Sequence, residues 1–140
     1  MFQAIAKQPG PKSLTLQFGQ LPGLYAVVRQ SPNAPVPPWA AQGAFTSITR
    51  TGDELSIVCP AENLPKEIVP DPRWICLKLQ GPFDLYLTGV LLSFIEPLST
   101  NGVPIFAIST FDTDYVLIPQ EHAARATDLL RQAGHELISA

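Results

Sequence analysis

The sequence predicts an α+β protein built as two tandem βαββαβ units packed as one body, the first of them degenerate. Three observations carry that expectation. The C-terminal half alternates short β-branched runs with stretches of helical period. The N-terminal half repeats the strand pattern but places prolines where a helix should stand. The chain has 140 residues, 46% of them hydrophobic, which is enough for one shared core. The expected boundaries are an N-terminal segment over 1–12, the degenerate unit over 13–70 and the complete unit over 71–140.

The C-terminal elements read in order. "RWICLKLQ" (73–80) is an apolar, β-branched run and predicts a buried strand. "GPFDLYL" breaks it. From Thr88 the period changes, with Val90, Leu91, Phe94, Ile95 and Leu98 on one helical face. Thr88 is the expected N-cap, and Asn101-Gly102 the stop. Pro97 predicts a kinked or loosened last turn. "VPIFAIST" (103–110) and "DYVLIP" (114–119) are strands joined by a tight "FDT" connection. A second helix follows over 120–134, with Ala123, Ala126, Leu130 and Ala133 as its inner stripe, and "HELIS" adds a final strand. A sheet with both helices on one face is the economical packing for this order.

In the N-terminal half, "ITRTGDELSIV" (48–58) aligns with "ISTFDTDYVLI" (108–118) at an offset of sixty. Ile48/Ile108, Thr49/Ser109, Glu54/Asp114, Leu55/Tyr115, Ile57/Leu117 and Val58/Ile118 keep their chemical class. The preceding strands, "LYAVVRQ" (24–30) and "WICLKLQ" (74–80), match at an offset of fifty. The missing ten residues fall at "SPNAPVPPWAAQG" (31–43), whose four prolines leave room for a single turn around "PPWAAQ". A duplicated unit that has lost most of one helix accounts for the pattern.

Composition excludes several classes of function. The net charge is −3 and the nine Lys and Arg are dispersed, which argues against nucleic acid as a partner. No apolar run reaches the roughly 18 residues of a membrane span, and "MFQAIAKQPGPK" lacks the apolar core of a signal peptide. Cys59 and Cys76 sit in strand-like runs and read as buried free thiols of a reducing compartment. A cytoplasmic location is expected. His122 and His135 flank the last helix, too far from the cysteines for a zinc site. Ser93 lacks the turn of a nucleophile elbow, and no phosphate-binding glycine loop occurs. The PxxP spacing at Pro35 and Pro38 reads as a rigid connection. Neither metal nor cofactor is expected.

"LTGVLLSFIEPLSTNGVPIFAISTFDTDYVLIP" (87–119) closely resembles the signature of the ACT-domain family. The likeness extends to small two-ACT bacterial proteins, cytosolic arginine sensors and the regulatory end of aspartate kinases. It rests on the "TG" that opens the first helix, the "PL…GV" turn and the "ISTF" hairpin with its "TD", and it spans residues 73–137 most strongly. "LPGLYAVVRQ" and "TRTGDELSIVCP" resemble the degenerate partner domain of the bacterial proteins. The resemblance implies a ferredoxin-like fold, a free amino acid bound at a domain interface, and no catalysis.

The residues themselves fit that chemistry. A helix N-terminus offers free N–H groups and the positive end of the dipole to a carboxylate. Gly89 would let it approach the amides of Gly89 and Val90, with Thr88 beside them. Asp114 would receive the ammonium, Ser109 and Thr110 offer hydroxyls, and Phe111 would pack on the ligand's aliphatic part. Each has a plainer reading: Asp112 and Thr113 are ordinary turn residues, Asp114 a strand-start residue, and Gly89 a packing glycine. The resemblance places Gly89 and Asp114 at positions the family uses. Where the arginine sensors carry an acid two residues before the helix glycine, this chain has Leu87, which suits a smaller or apolar ligand. In the first repeat Glu54 stands for Asp114, but Arg50 and Gly52 replace Thr110 and Asp112, so that copy reads as scaffold. The expected protein is a non-catalytic amino-acid sensor acting as a homo-oligomer or through a separate effector. An interaction module with a vestigial site is the alternative. An enzyme using Asp112 and Asp114 as acid and base lacks a nucleophile or metal.

Overall fold

The computed structural model describes residues 14–139. The segment expected over 1–12 lies outside them. Eight strands and two helices follow in the order β1 (Gln17–Gln20), β2 (Tyr25–Gln30), β3 (Ser47–Arg50), β4 (Leu55–Pro60), β5 (Trp74–Leu79), α1 (Val90–Ser99), β6 (Phe106–Ser109), β7 (Asp114–Pro119), α2 (Ala123–Gln132) and β8 (Glu136–Ser139). The fold is α+β with a mixed sheet: β1 and β8 are parallel and the other pairs antiparallel.

The C-terminal strands run β8-β1-β5-β7-β6. β1, which the sequence reading missed, lies between β8 and β5, so a strand from the N-terminal part completes the C-terminal sheet. Four residues without a helix partner give too little periodicity to find from sequence alone. The N-terminal strands run β3-β4-β2 and join the rest through one pairing, Tyr25 with Trp74.

Strand alternation divides β5 and β7 between two cores. Ile75, Leu77, Leu79, Val116 and Ile118 meet Phe18 of β1 and the inner faces of α1 (Val90, Phe94, Leu98) and α2 (Ala126, Leu130). Both helices therefore cover one face. On the other face Cys76 and Leu117 pack against Tyr25, Phe45 and Val58, with Phe45 stacked on Tyr115 at 4.2 Å. Burial on both faces is why these strands read as nearly continuous apolar runs. Leu55, Ile57 and Cys59 point outward beneath a 3₁₀ turn, Pro38–Ala41, and Trp39.

Three helix details bear on the expectation. Gly89, not Thr88, is the N-cap of α1, with φ at +84° and no side-chain cap. Pro97 lies inside α1 without ending it. Its missing N–H leaves the carbonyl of Ser93 without the usual helical donor, and His135 supplies one: its Nε2 lies 2.8 Å from that oxygen. The other ring nitrogen, Nδ1, accepts from the Leu16 N–H at 3.0 Å, so the partners select the neutral Nε2–H tautomer. The Ser93 hydroxyl accepts from the Leu14 N–H at 3.0 Å. Finally, α2 begins after a separate 3₁₀ turn, Gln120–His122, and Ala133 is its exposed C-cap instead of part of the inner stripe.

The two units match in detail, but one residue away from the alignment read off the sequence. Tyr25 pairs with Pro60 as Trp74 pairs with Pro119. Each proline leads into a 3₁₀ turn, Ala61–Asn63 or Gln120–His122. The Thr51 N–H closes its hairpin on the Glu54 carbonyl at 2.9 Å, as Thr110 does on Thr113 at 2.8 Å. In that register Leu55, not Glu54, stands in the place of Asp114, and Arg50 in the place of Ser109. Among the described residues the N-terminal unit holds no α-helix; segment 64–73 stands where α2 would begin.

Cys59 and Cys76 are buried and free. Burial raises both thiols, Cys76 to about 12.

Candidate functional site

A cavity of about 270 Å³ opens where the N-terminus of α1 meets the β6–β7 hairpin. Gly89 and Val90 form one side; Ser109, Thr110, Phe111 and Asp114 form the other. Thr88 is exposed just outside the lining. The other candidate residues, from two segments twenty residues apart in the chain, thus share one space.

Local sequence explains each wall. The left-handed turn at Gly89 swings the chain into α1, and no side chain caps the helix there. Its first-turn N–H groups have no intrahelical acceptor, and no acidic residue occupies that turn to offset the dipole. Opposite, the hairpin is closed by hydrogen bonds from Thr110 Oγ1 to the Thr113 carbonyl at 3.0 Å and from the Thr113 N–H to Thr110 Oγ1 at 3.3 Å. The Thr113 hydroxyl, buried, donates to the Leu79 carbonyl at 2.8 Å and ties the hairpin to β5. Ser109 Oγ donates to Asp114 Oδ1 and fixes that half-buried carboxylate. Its second oxygen makes no hydrogen bond with the described residues.

Two expected roles change. The hydroxyl of Thr110 is spent on the turn, and that of Ser109 on Asp114, so Ser109 orients the carboxylate. Phe111 is 78% exposed, at the rim rather than over the floor.

Apart from Leu87, the sequence reading missed the third wall. "GPFDLYL" contributes Phe83, Asp84, Leu85 and Leu87, while Leu91, Leu92, Asp112 and Thr113 complete the lining. The Phe83 N–H donates to the Asp112 carbonyl at 2.8 Å, and Asp84 Oδ1 accepts from the Tyr86 N–H at 2.8 Å. A signal existed: large apolar residues alternate with a carboxylate where neither strand nor helix needs them. Of the lining, Leu85, Leu87, Leu92 and Phe111 remain exposed, and Tyr86, between Leu85 and Leu87 in the chain, is 92% exposed.

The matching hairpin in the N-terminal unit carries different groups. Arg50 sends its guanidinium across to the carbonyls of Pro32 and, at 2.8 Å, Ala34. Leu55 there replaces the carboxylate.

From β5 to β8 the chain thus forms a βαββαβ unit with a small cavity at a helix N-terminus. The chain carries one ACT domain, whose family model matches residues 69–132, and a second family model, of an N-terminal domain, matches 23–67. The crystal structure of protein Atu0741 from Agrobacterium tumefaciens is similar at 46% identity and a TM-score of 0.84, over 91% of this chain and 95% of that one. A curated relative from Bos taurus, the cytosolic arginine sensor for mTORC1 subunit 1, is 25% identical over 111 residues, 66% of this chain. The chain spans about a third (33%) of that relative's length. The aspartate kinase of Clostridium acetobutylicum shares the fold at 14% identity and a TM-score of 0.55, over 83% of this chain and 33% of the kinase.

Proposed function

We propose that the protein is a non-catalytic regulatory domain that binds a free amino acid in the cavity at the start of α1. The observation that carries this reading is the meeting of an uncapped helix N-terminus with a pre-oriented carboxylate, Asp114, across one small space. The ligand's carboxylate takes the first-turn N–H groups, and its ammonium takes Asp114. Its side chain lies among Leu85, Leu87, Leu92 and Phe111, so an apolar side chain is favoured over a guanidinium. The name of the bovine relative lends support to an amino-acid ligand, and the family to a regulatory role. We read the N-terminal unit as a degenerate second ACT domain, on the strength of its matching hairpin, proline and 3₁₀ turn.

The exposed rim supports a second reading, in which this face serves as a protein interaction surface with a vestigial site. A homo-oligomer would cover Tyr86 and Phe111 and close the ligand in; a separate effector would do so only in the bound state.

A thermal-shift screen against the twenty amino acids separates the two. A ligand at one hundred times its Kd adds about 2.7 kcal/mol and roughly 8 °C to the melting temperature. That rise should vanish in Asp114→Ala, which keeps its fold because the carboxylate lies at a surface hairpin. A flat screen, or an unchanged rise in Asp114→Ala, overturns the proposed site.

A further inference from the structure

We propose that the protein carries a second binding site, between the strand ends of the N-terminal unit and the segment that links it to β5, for a small organic anion with an apolar body. The space is about 800 Å³, within the range of small-molecule sites and larger than the cavity at α1. Leu24, Tyr25, Leu64, Ile68 and Val69 supply apolar walls, framed by Pro22, Pro60, Pro65 and Pro70.

The walls are held before any ligand arrives. The Ala61 N–H donates to the Leu24 carbonyl at 2.8 Å, Leu64 to Ala61 at 3.2 Å and Ile68 to Pro65 at 3.0 Å. Gly43, at φ +113°, presses its backbone onto the Pro60 ring, where a Cβ would stand 2.5 Å from Cγ. Prolines and fixed turns lower the entropy that binding would otherwise cost.

The charges select the ligand. Lys66 and Arg73 line the space and form no ion pair with the described residues. Arg73 is anchored only through its backbone, whose carbonyl accepts from the Gln120 N–H at 2.9 Å. By contrast, backbone carbonyls hold the guanidinium groups of Arg29, Arg50 and Arg125. Glu62 is the one carboxylate in the lining, so two cations face one anion and the site complements a single negative charge. Tyr25 adds a phenol that burial keeps protonated, with lesser contributions from Cys76, Tyr115 and Glu62. A guanidinium over an apolar floor recognises a carboxylate by paired, charge-assisted hydrogen bonds.

The test uses the whole chain and decanoate as probe, in calorimetry beside decanol and decylammonium. Saturable binding of decanoate is expected, with decanol at least tenfold weaker and decylammonium inert. Arg73→Gln should weaken decanoate at least tenfold. Val69→Asp, at a position 73% exposed, should abolish it without unfolding the chain. Asp114→Ala should leave it unchanged, which keeps this site separate from the one at α1. Absence of decanoate binding, decanol binding as well as decanoate, or an indifferent Arg73→Gln variant overturns the proposal.

Discussion

Replacing His135 by alanine tests how a proline is accommodated inside α1. The imidazole is 4% exposed and serves two backbone groups, the Leu16 N–H and the Ser93 carbonyl. Its loss leaves both buried and unpaired, at roughly 1–3 kcal/mol each, and opens a space beside Phe94, whose ring centroid lies 5.4 Å away. The expected total is about 3–5 kcal/mol, a large part of the stability of a domain this size. The sharper expectation concerns coupling. In Pro97→Ala the new N–H at position 97 can reach the Ser93 carbonyl, so His135→Ala should then cost about 1–2 kcal/mol less. Urea unfolding of the four proteins, followed by circular dichroism, measures that difference directly. Costs that add within about 0.5 kcal/mol would refute the idea that His135 substitutes for the donor that Pro97 removes.

Three further outcomes follow from the same geometry. The Cys76 thiol of the unfolded chain ionises near its ordinary 9.0, while burial in the fold holds it to about 12. Its contribution is therefore complete below pH 9 and is lost as pH rises towards 12, by about 1 kcal/mol at pH 10; the gap between denaturant midpoints at pH 8 and 10 should narrow in Cys76→Ala, the raised Cys59 thiol accounting for part of what is left. Gly89→Ala, placed at φ +84°, should cost about 1 kcal/mol in thermal unfolding, and Gly89→Leu should in addition remove the amino-acid-dependent rise in melting temperature. Thr113→Val removes the hydroxyl that donates to the Leu79 carbonyl and should lower stability by about 1 kcal/mol in urea titration; equal midpoints would show that this bond does not hold the hairpin to β5.

Periodicity and turn chemistry by themselves determined much of this protein. The change of period at Thr88 marked α1, the apolar runs at 74–79 and 114–119 marked the strands buried on both faces, and the prolines of 31–43 ruled out a helix there. Those are local signals, set by sterics and by which faces must be dry. The pairing of Gly89 with Asp114 at one site also came from the sequence, through the family's pattern, but the wall that Phe83, Asp84 and Leu85 add to it did not.

Tertiary structure decided the rest. Whether Thr88 or Gly89 caps α1 depends on where the chain enters the helix. Whether Thr110 and Ser109 have hydroxyls to spare depends on hydrogen bonds across the hairpin. The true register of the repeat, with Leu55 in the place of Asp114, emerged only from strand pairing, because a nearly continuous apolar run tolerates a one-residue shift in an alignment that a hydrogen-bond ladder does not. The bond from His135 to Ser93 spans residues far apart in the chain, as does the insertion of β1 between β5 and β8. Such contacts leave no period in the sequence, since their partners are chosen by packing and by the demand that every buried N–H and C=O find a mate.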